Sequence, residues 1–140
     1  MNKIIVADAD ALIALAVEKD PHHKNAMLIM DMLTRKTYPI VFPFTVFPEA
    51  ITTLKRALNM PEKAHLLNRQ LGEGVFQIVY PDKDIMNLAC KLFEKTVSKK
   101  NTLFDAIVLA TAKNLHADAI FSFDSWYSKQ GFDLIEVGEG

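Results

Sequence analysis

Hydrophobic and polar positions along the chain alternate between two periods. Lys3 to Ala7 is a short β-rich apolar run with charge only at its edge, the pattern of a strand buried in a parallel sheet. Ala11 to Val17 then has helical spacing, and His22 to Lys36 predicts a second helix. Its Met27, Leu28, Ile29, Met30, Met32 and Leu33 cover a wider arc than one core face requires, which leaves part of the arc for a partner. Pro39 to Phe42 predicts a second strand, followed by a helix in which Phe47, Ala50 or Ile51, Leu54 and Leu58 recur at three and four. Thr45 is its candidate cap, and Pro48 falls in the first turn, where a missing amide proton costs no helix bond. Glu62 to Leu71 predicts a short helix closed by Gly72 and Gly74, Val75 to Tyr80 a strand, and Asp82 to Val97 a helix. Thr102 to Leu115 is apolar nearly all round and must be buried. Ala119 to Phe123 predicts a strand, Asp124 to Gln130 a helical turn, and Phe132 to Val137 a last strand after Gly131.

Short strands alternating with helices predict an α/β fold: an open, mainly parallel sheet of four to five strands with helices on both faces. Ligands of such sheets sit outside the carboxyl ends of the strands, where the strand order reverses. Acids at strand ends therefore carry the most information. With 140 residues and no repeat or linker, a single domain over residues 1–140 is expected. The lone cysteine, Cys90, excludes an intrachain disulfide and a multi-cysteine zinc site; it reads as a core residue, and the chain as cytoplasmic. No apolar stretch is long enough to span a membrane. Sixteen Lys and Arg against 17 Asp and Glu give a formal charge of -1, so no broad basic field attracts a polyanion. Binding one requires a local basic patch or a metal.

Four carboxylates occupy comparable places. Asp8 follows the first strand, Glu49 and Asp105 lie near helix starts, and Asp124 follows the fourth strand candidate before the terminal one. If they converge, their repulsion calls for a hard divalent cation with oxygen ligands, for which Mg²⁺ or Mn²⁺ is suited. Structural roles compete with this reading. Thr102-x-x-Asp105 has capping-box spacing, Asp124 can cap the turn that follows it, Asp10 can cap a helix starting at Ala11, and a solvated face satisfies Glu49.

The segments around these acids resemble the PIN-domain family of metal-dependent nucleases, especially the VapC-like toxin ribonucleases of toxin-antitoxin modules. The resemblance rests on Ile4-Ile5-Val6-Ala7-Asp8, Phe47-Pro48-Glu49-Ala50-Ile51, Phe104-Asp105-Ala106-Ile107 and Ala119-Ile120-Phe121-Ser122-Phe123-Asp124. It implies a Mg²⁺- or Mn²⁺-dependent endoribonuclease that hydrolyses RNA phosphodiester bonds, with Asp8, Asp105 and Asp124 as ligands and Glu49 as ligand or water-orienting group. It also implies a cognate antitoxin and a homodimer. Two positions depart from the family pattern. Asp10 stands where Ser, Thr or Asn is common, and Ser122 where Thr is frequent; both are counted as supporting residues, Ser122 through its hydroxyl.

For the substrate, Arg56 and Lys55 are the candidate phosphate contacts, because Arg56 shares the face of Glu49 at i+7. Arg35-Lys36 and Lys99-Lys100 are further candidate phosphate contacts, with ordinary solvated surface as the competing reading for such short basic pairs. His22, His23, His65 and His116 have no zinc spacing and read as helix-end or surface residues, while Trp126, Tyr127 and Phe132 read as core or oligomer contacts. Two other functions compete. Asp8-Ala9-Asp10 after a strand resembles the first motif of haloacid-dehalogenase-like phosphatases, and a catalytically weak or inactive PIN-like binding module accommodates Asp10 and the near-neutral charge.

Overall fold

The computed structural model describes residues 3–138. Strands β1 (Ile5–Ala7), β2 (Ile40–Pro43), β3 (Ile78–Val79) and β4 (Ala119–Phe121) form an all-parallel sheet in the order β3-β2-β1-β4. Parallel neighbours need crossovers, and helices supply them. Helices α1 (Ala9–Ala16) and α2 (His23–Lys36) lie between β1 and β2, and α3 (Val46–Thr52) and α4 (Pro61–Gly72) between β2 and β3. Helices α5 (Lys83–Glu94) and α6 (Leu103–Asn114) precede β4, and α7 (Trp126–Lys129) follows it.

The central strand explains its own composition. Ile5, Val6 and Ala7 of β1 are wholly buried, with β2 on one edge and β4 on the other, so no position along it tolerates a polar side chain. Ile29 and Leu33 of α2, Phe47 of α3 and Leu54 pack into the same core. Helix α6 adds Val108, Leu109 and Ala112 to that core and packs Ala106, Ile107 and Ala110 against Ile85 and Ala89 of α5. Burial on both flanks is why residues from Ala106 to Ala112 are buried without a break.

Several elements differ from the sequence reading. The first helix starts at Ala9 with Asp8 as its N-cap, so Asp10 lies inside the first turn and does not cap a helix at Ala11. Thr45 makes no capping hydrogen bond: its backbone angles are already helical instead of the extended ones of a capping residue. Beyond α3 the chain widens into a π-helical segment, Thr53–Ala57. The strand expected over Val75 to Tyr80 shrinks to Ile78–Val79 at the sheet edge. Helix α5 ends at Glu94, and Val97 beyond it is almost fully exposed. The final strand reduces to one parallel bridge between Leu134 and Ile120, so the sheet has four strands. Cys90 is exposed, since Ile85 and Ala89 define the inward face of α5 and the next residue turns about 100° away. Met27 and Leu28 are about half exposed (49% and 47%), whereas Ala26, Ile29, Met32 and Leu33 carry the inward face of α2.

Because β1 lies between β2 and β4, the strand order reverses beside it, and the crevice expected at such a point opens beyond the carboxyl ends of β1 and β4. The two ends are tied directly: the Asp8 N–H donates to the Phe121 carbonyl at 3.0 Å.

Candidate active site

A cleft of about 360 Å³ occupies this crevice, lined by Asp8, Asp10, Glu49, Asp105 and Asp124 and, among the described residues, by Lys100 and the imidazole of His22. Each acid arrives from a different structural cause. Asp8 ends β1 and caps α1, its Oδ1 accepting from the Ala9 N–H at 2.7 Å. Asp10 follows in the first turn. Glu49 lies in the first turn of α3, Asp105 at the third position of α6, and Asp124 in the turn after β4.

Neutral donors hold these carboxylates in place. The buried Tyr127 hydroxyl donates to Asp8 Oδ2 at 2.7 Å. Ser122 Oγ donates to Asp10 Oδ2 at 2.9 Å and accepts from the Asp124 N–H at 3.1 Å. Its distance to Asp8 Oδ2 is 3.5 Å, and with one proton to give, the shorter contact to Asp10 takes it. The Phe123 N–H also donates to Asp10 Oδ2, at 2.8 Å. Asn101, buried in the loop before α6, spans two acids: its Nδ2 donates to Asp124 Oδ2 at 2.8 Å and to Asp105 Oδ2 at 3.2 Å. Asp105 Oδ2 also accepts from the Thr102 N–H at 2.9 Å, so the capping-box role exists alongside its place in the cleft. Asp124 Oδ1 accepts from the Trp126 N–H at 2.9 Å, so this acid too both shapes its turn and faces the cleft.

The charge state shows how costly this gathering is. Burial, then the neighbouring charges of Asp10 and Asp105, hold the Asp8 carboxyl well above the usual aspartate range, against the lowering effect of the Tyr127 hydrogen bond. Burial also raises Asp10 and Asp105, each of which feels the charge of Asp124. Glu49 is pushed up to about 7 by burial and then by Asp105 and Asp10. Tyr127 is raised above its ordinary value, first by burial and then by Asp8, so it remains a hydrogen-bond donor. The acids of the cleft thus interact with one another, and Lys100 offsets only part of the charge, lowering Asp105.

The donor set suits a hard, hydrated cation. Asp10 Oδ1 and Glu49 Oε1 are buried and have no hydrogen-bond partner among the described residues. Buried acceptors of this kind need a partner, and a divalent ion or its water supplies one. Among the described residues no three Asp, Glu, His or Cys side chains lie close enough together to hold a metal ion directly between them. Mg²⁺ does not need such a trio, because it retains several waters and binds through one or two carboxylates.

Of the other residues singled out by sequence, Lys55 and Arg56 do not line the cleft. The π-helical segment uses more residues per turn, so the face of Glu49 continues through Thr53, and Arg56 falls off it. Thr53 lines the cleft, and its hydroxyl donates to the Glu49 carbonyl at 2.9 Å. Lys100 belongs to a basic pair that the sequence does single out and it lines the cleft, whereas nothing in the sequence marks His22, Asn101 or Tyr127 as site residues. The signal for Asn101 was a polar residue just before a capping box, and for Tyr127 a core phenol whose hydroxyl requires a buried partner. Neither names that partner.

The sequence matches the PIN domain family over residues 5–132, and the chain belongs to that family. A comparison with curated proteins gives no match. Among solved structures, the fold is similar to that of VapC20 from Mycobacterium tuberculosis, described as a sarcin-ricin loop cleaving toxin. That match has a TM-score of 0.79 and 20% identity, over 94% of this chain and 98% of that one. FitAcB from Neisseria gonorrhoeae is similar at a TM-score of 0.69 and 16% identity, over 94% and 96% of the respective chains. VapBC-1 from nontypeable Haemophilus influenzae is similar at a TM-score of 0.65 and 16% identity, over 95% and 97%.

Proposed function

We propose that this protein is a divalent-metal-dependent endoribonuclease of the toxin type, hydrolysing RNA phosphodiester bonds in the acidic cleft. The observation that carries the reading is the gathering of Asp8, Asp10, Glu49, Asp105 and Asp124 around one crevice with two buried, unpartnered carboxylate oxygens. Asp8, Asp105 and Asp124 are the proposed ligands of Mg²⁺ or Mn²⁺, one or two of them directly and the others through its waters, with Glu49 as a further ligand or water-orienting group. A bound divalent ion supplies Lewis acidity, a more acidic water and compensation for charge on the reacting phosphate.

The chain's own residues do the rest. Glu49 Oε1, buried and without a hydrogen-bond partner among the described residues, is free to accept a hydrogen bond from the attacking water and so orient it. Asn101 keeps Asp105 and Asp124 together, and Tyr127 fixes Asp8, so neither acid has to be reoriented when substrate arrives. Ser122 and Asp10 support the turn that carries Asp124. Lys100, as the lysine in the cleft lining, replaces Arg56 and Lys55 as the proposed phosphate contact.

Similarity to toxin and toxin-antitoxin structures supports an antitoxin-type protein partner, and the same reading includes a homodimer. Met27 and Leu28 belong to the apolar surface offered for such contacts. Light scattering tests the dimer: a mass near twice 15.8 kDa is expected, and a monomer at all concentrations removes it. Activity is tested by incubating a mixed RNA panel with Mn²⁺, using wild type and Asp8→Asn. Cleavage by wild type alone, abolished by EDTA, is expected. Equal cleavage by both proteins, or cleavage persisting in EDTA, would falsify the assignment.

A further inference from the structure

We propose that the stacked rings of His22 and Phe123, at the mouth of the cleft, form a platform for one unpaired nucleobase of the strand being cut, a reading that rests on the nuclease assignment. The rings are parallel within 3°, with centroids 4.3 Å apart, and both residues line the cleft that holds the acids. They come from opposite ends of the chain, His22 from the start of α2 and Phe123 from the turn after β4.

The backbone of each is anchored by a side-chain acceptor. The His22 N–H donates to Asp20 Oδ1 at 2.8 Å, and the Phe123 N–H donates to Asp10 Oδ2 at the same distance. Phe121 meets Phe123 edge-on, with centroids 6.2 Å apart and planes at 74°, and backs it from the core side. His22 is exposed, and its ring makes no hydrogen bond among the described residues. The stack therefore has an inner member packed against the core and an outer member exposed to solvent.

This arrangement fits a base better than it fits core packing, since an exposed histidine ring buries little apolar surface. Any nucleobase offers a π-face, and stacking on an aromatic platform changes affinity by roughly ten- to a hundredfold. Phe123 immediately precedes Asp124, so a base lying on the platform brings its own backbone phosphate to the edge of the acids. A base inside a duplex has both faces covered by its neighbours, so only an unpaired one can use the platform.

The test uses a single-stranded RNA hexamer carrying 2-aminopurine, whose fluorescence is quenched by stacking, with Ca²⁺ replacing Mg²⁺ to slow turnover. Wild type, His22→Ala and His22→Tyr are titrated with the strand and, separately, with Mn²⁺ alone. For His22→Ala we expect a Kd for the strand raised about tenfold or more, loss of the binding-induced quench, and an unchanged Mn²⁺ isotherm. His22→Tyr should restore affinity and quench. If His22→Ala binds and quenches like wild type, the platform is wrong and the nuclease reading stands. If His22→Tyr fails to restore binding lost in His22→Ala, the ring nitrogens act instead and stacking is excluded. If wild type binds Mn²⁺ but no strand, both the platform and the nuclease reading fall.

Discussion

Tyr127 and Asn101 donate hydrogen bonds to the cleft acids without adding charge to them. That distinction decides what their removal does. In Tyr127→Phe the ring still fills its buried site, but Asp8 Oδ2 loses its 2.7 Å donor and with it both orientation and part of its resistance to protonation. In Asn101→Ala the link between Asp105 and Asp124 is cut. Outer partners of metal ligands typically influence affinity by about 10–100-fold, so calorimetric titration with Mn²⁺ should show losses in that range for both variants. Affinity unchanged in both would assign these hydrogen bonds to folding alone. Asp10 presents a different case at the same scale. Its Oδ2 is used by Ser122 and Phe123 while Oδ1 lacks a partner, so Asp10→Asn should disturb the turn carrying Asp124 less than Asp10→Ala. Comparing RNA cleavage by the two variants checks this, with the alanine variant expected to be the weaker.

Helix starts and strand ends decide how the acids are presented, and elements without acids provide the controls. Asp82 caps α5 by accepting from the Ile85 N–H at 2.9 Å and lies outside the cleft lining. Asp82→Ala should therefore cost about 1 kcal/mol, or roughly 2–4 °C in Tm, and leave Mn²⁺ affinity unchanged. A thermal melt and a titration check both halves of that statement. Asp105→Asn differs in kind, because Asp105 both serves its helix cap and faces the cleft. The sequence made much of this level legible: the buried β1, the continuous burial of α6 and the positions of four acids at element ends follow from apolar runs and capping patterns. What it left out depends on contacts between distant segments. The π-helical turn that moves Arg56 off the face of Glu49 has no periodic signature, and the last strand lost all but one of its pairings at a sheet edge. Likewise, nothing local to Tyr127 indicates that its hydroxyl meets a residue 119 positions earlier.

Across the whole molecule, gathering the acids couples stability to pH. Glu49 titrates near 7 in the folded chain, against an ordinary value of 4.5. Between those values the folded state binds the proton and the unfolded state does not, so stability falls as pH rises through the window. Asp8, Asp10 and Asp105 are raised as well and act in the same direction. Discounted for partial solvent screening, the Glu49 contribution is about 1–2 kcal/mol, or roughly 3–6 °C in Tm. The metal-free protein should melt higher at pH 5 than at pH 8, and Glu49→Gln should reduce the difference, leaving the part due to the aspartates. A cation stabilises the ionised acids, so added Mg²⁺ should raise Tm more at pH 8 than at pH 5. Equal shifts at the two pH values would separate metal binding from the cleft carboxylates. The strand order sets this coupling, because the ends of β1 and β4 open into the same crevice while α3 and α6 deliver Glu49 and Asp105 to it. The most direct check is anomalous diffraction at the manganese edge from crystals grown with Mn²⁺. A peak bonded to carboxylate oxygens from among Asp8, Asp105 and Asp124 is predicted; manganese bound only elsewhere on the protein, with these acids in place and vacant, would contradict the account.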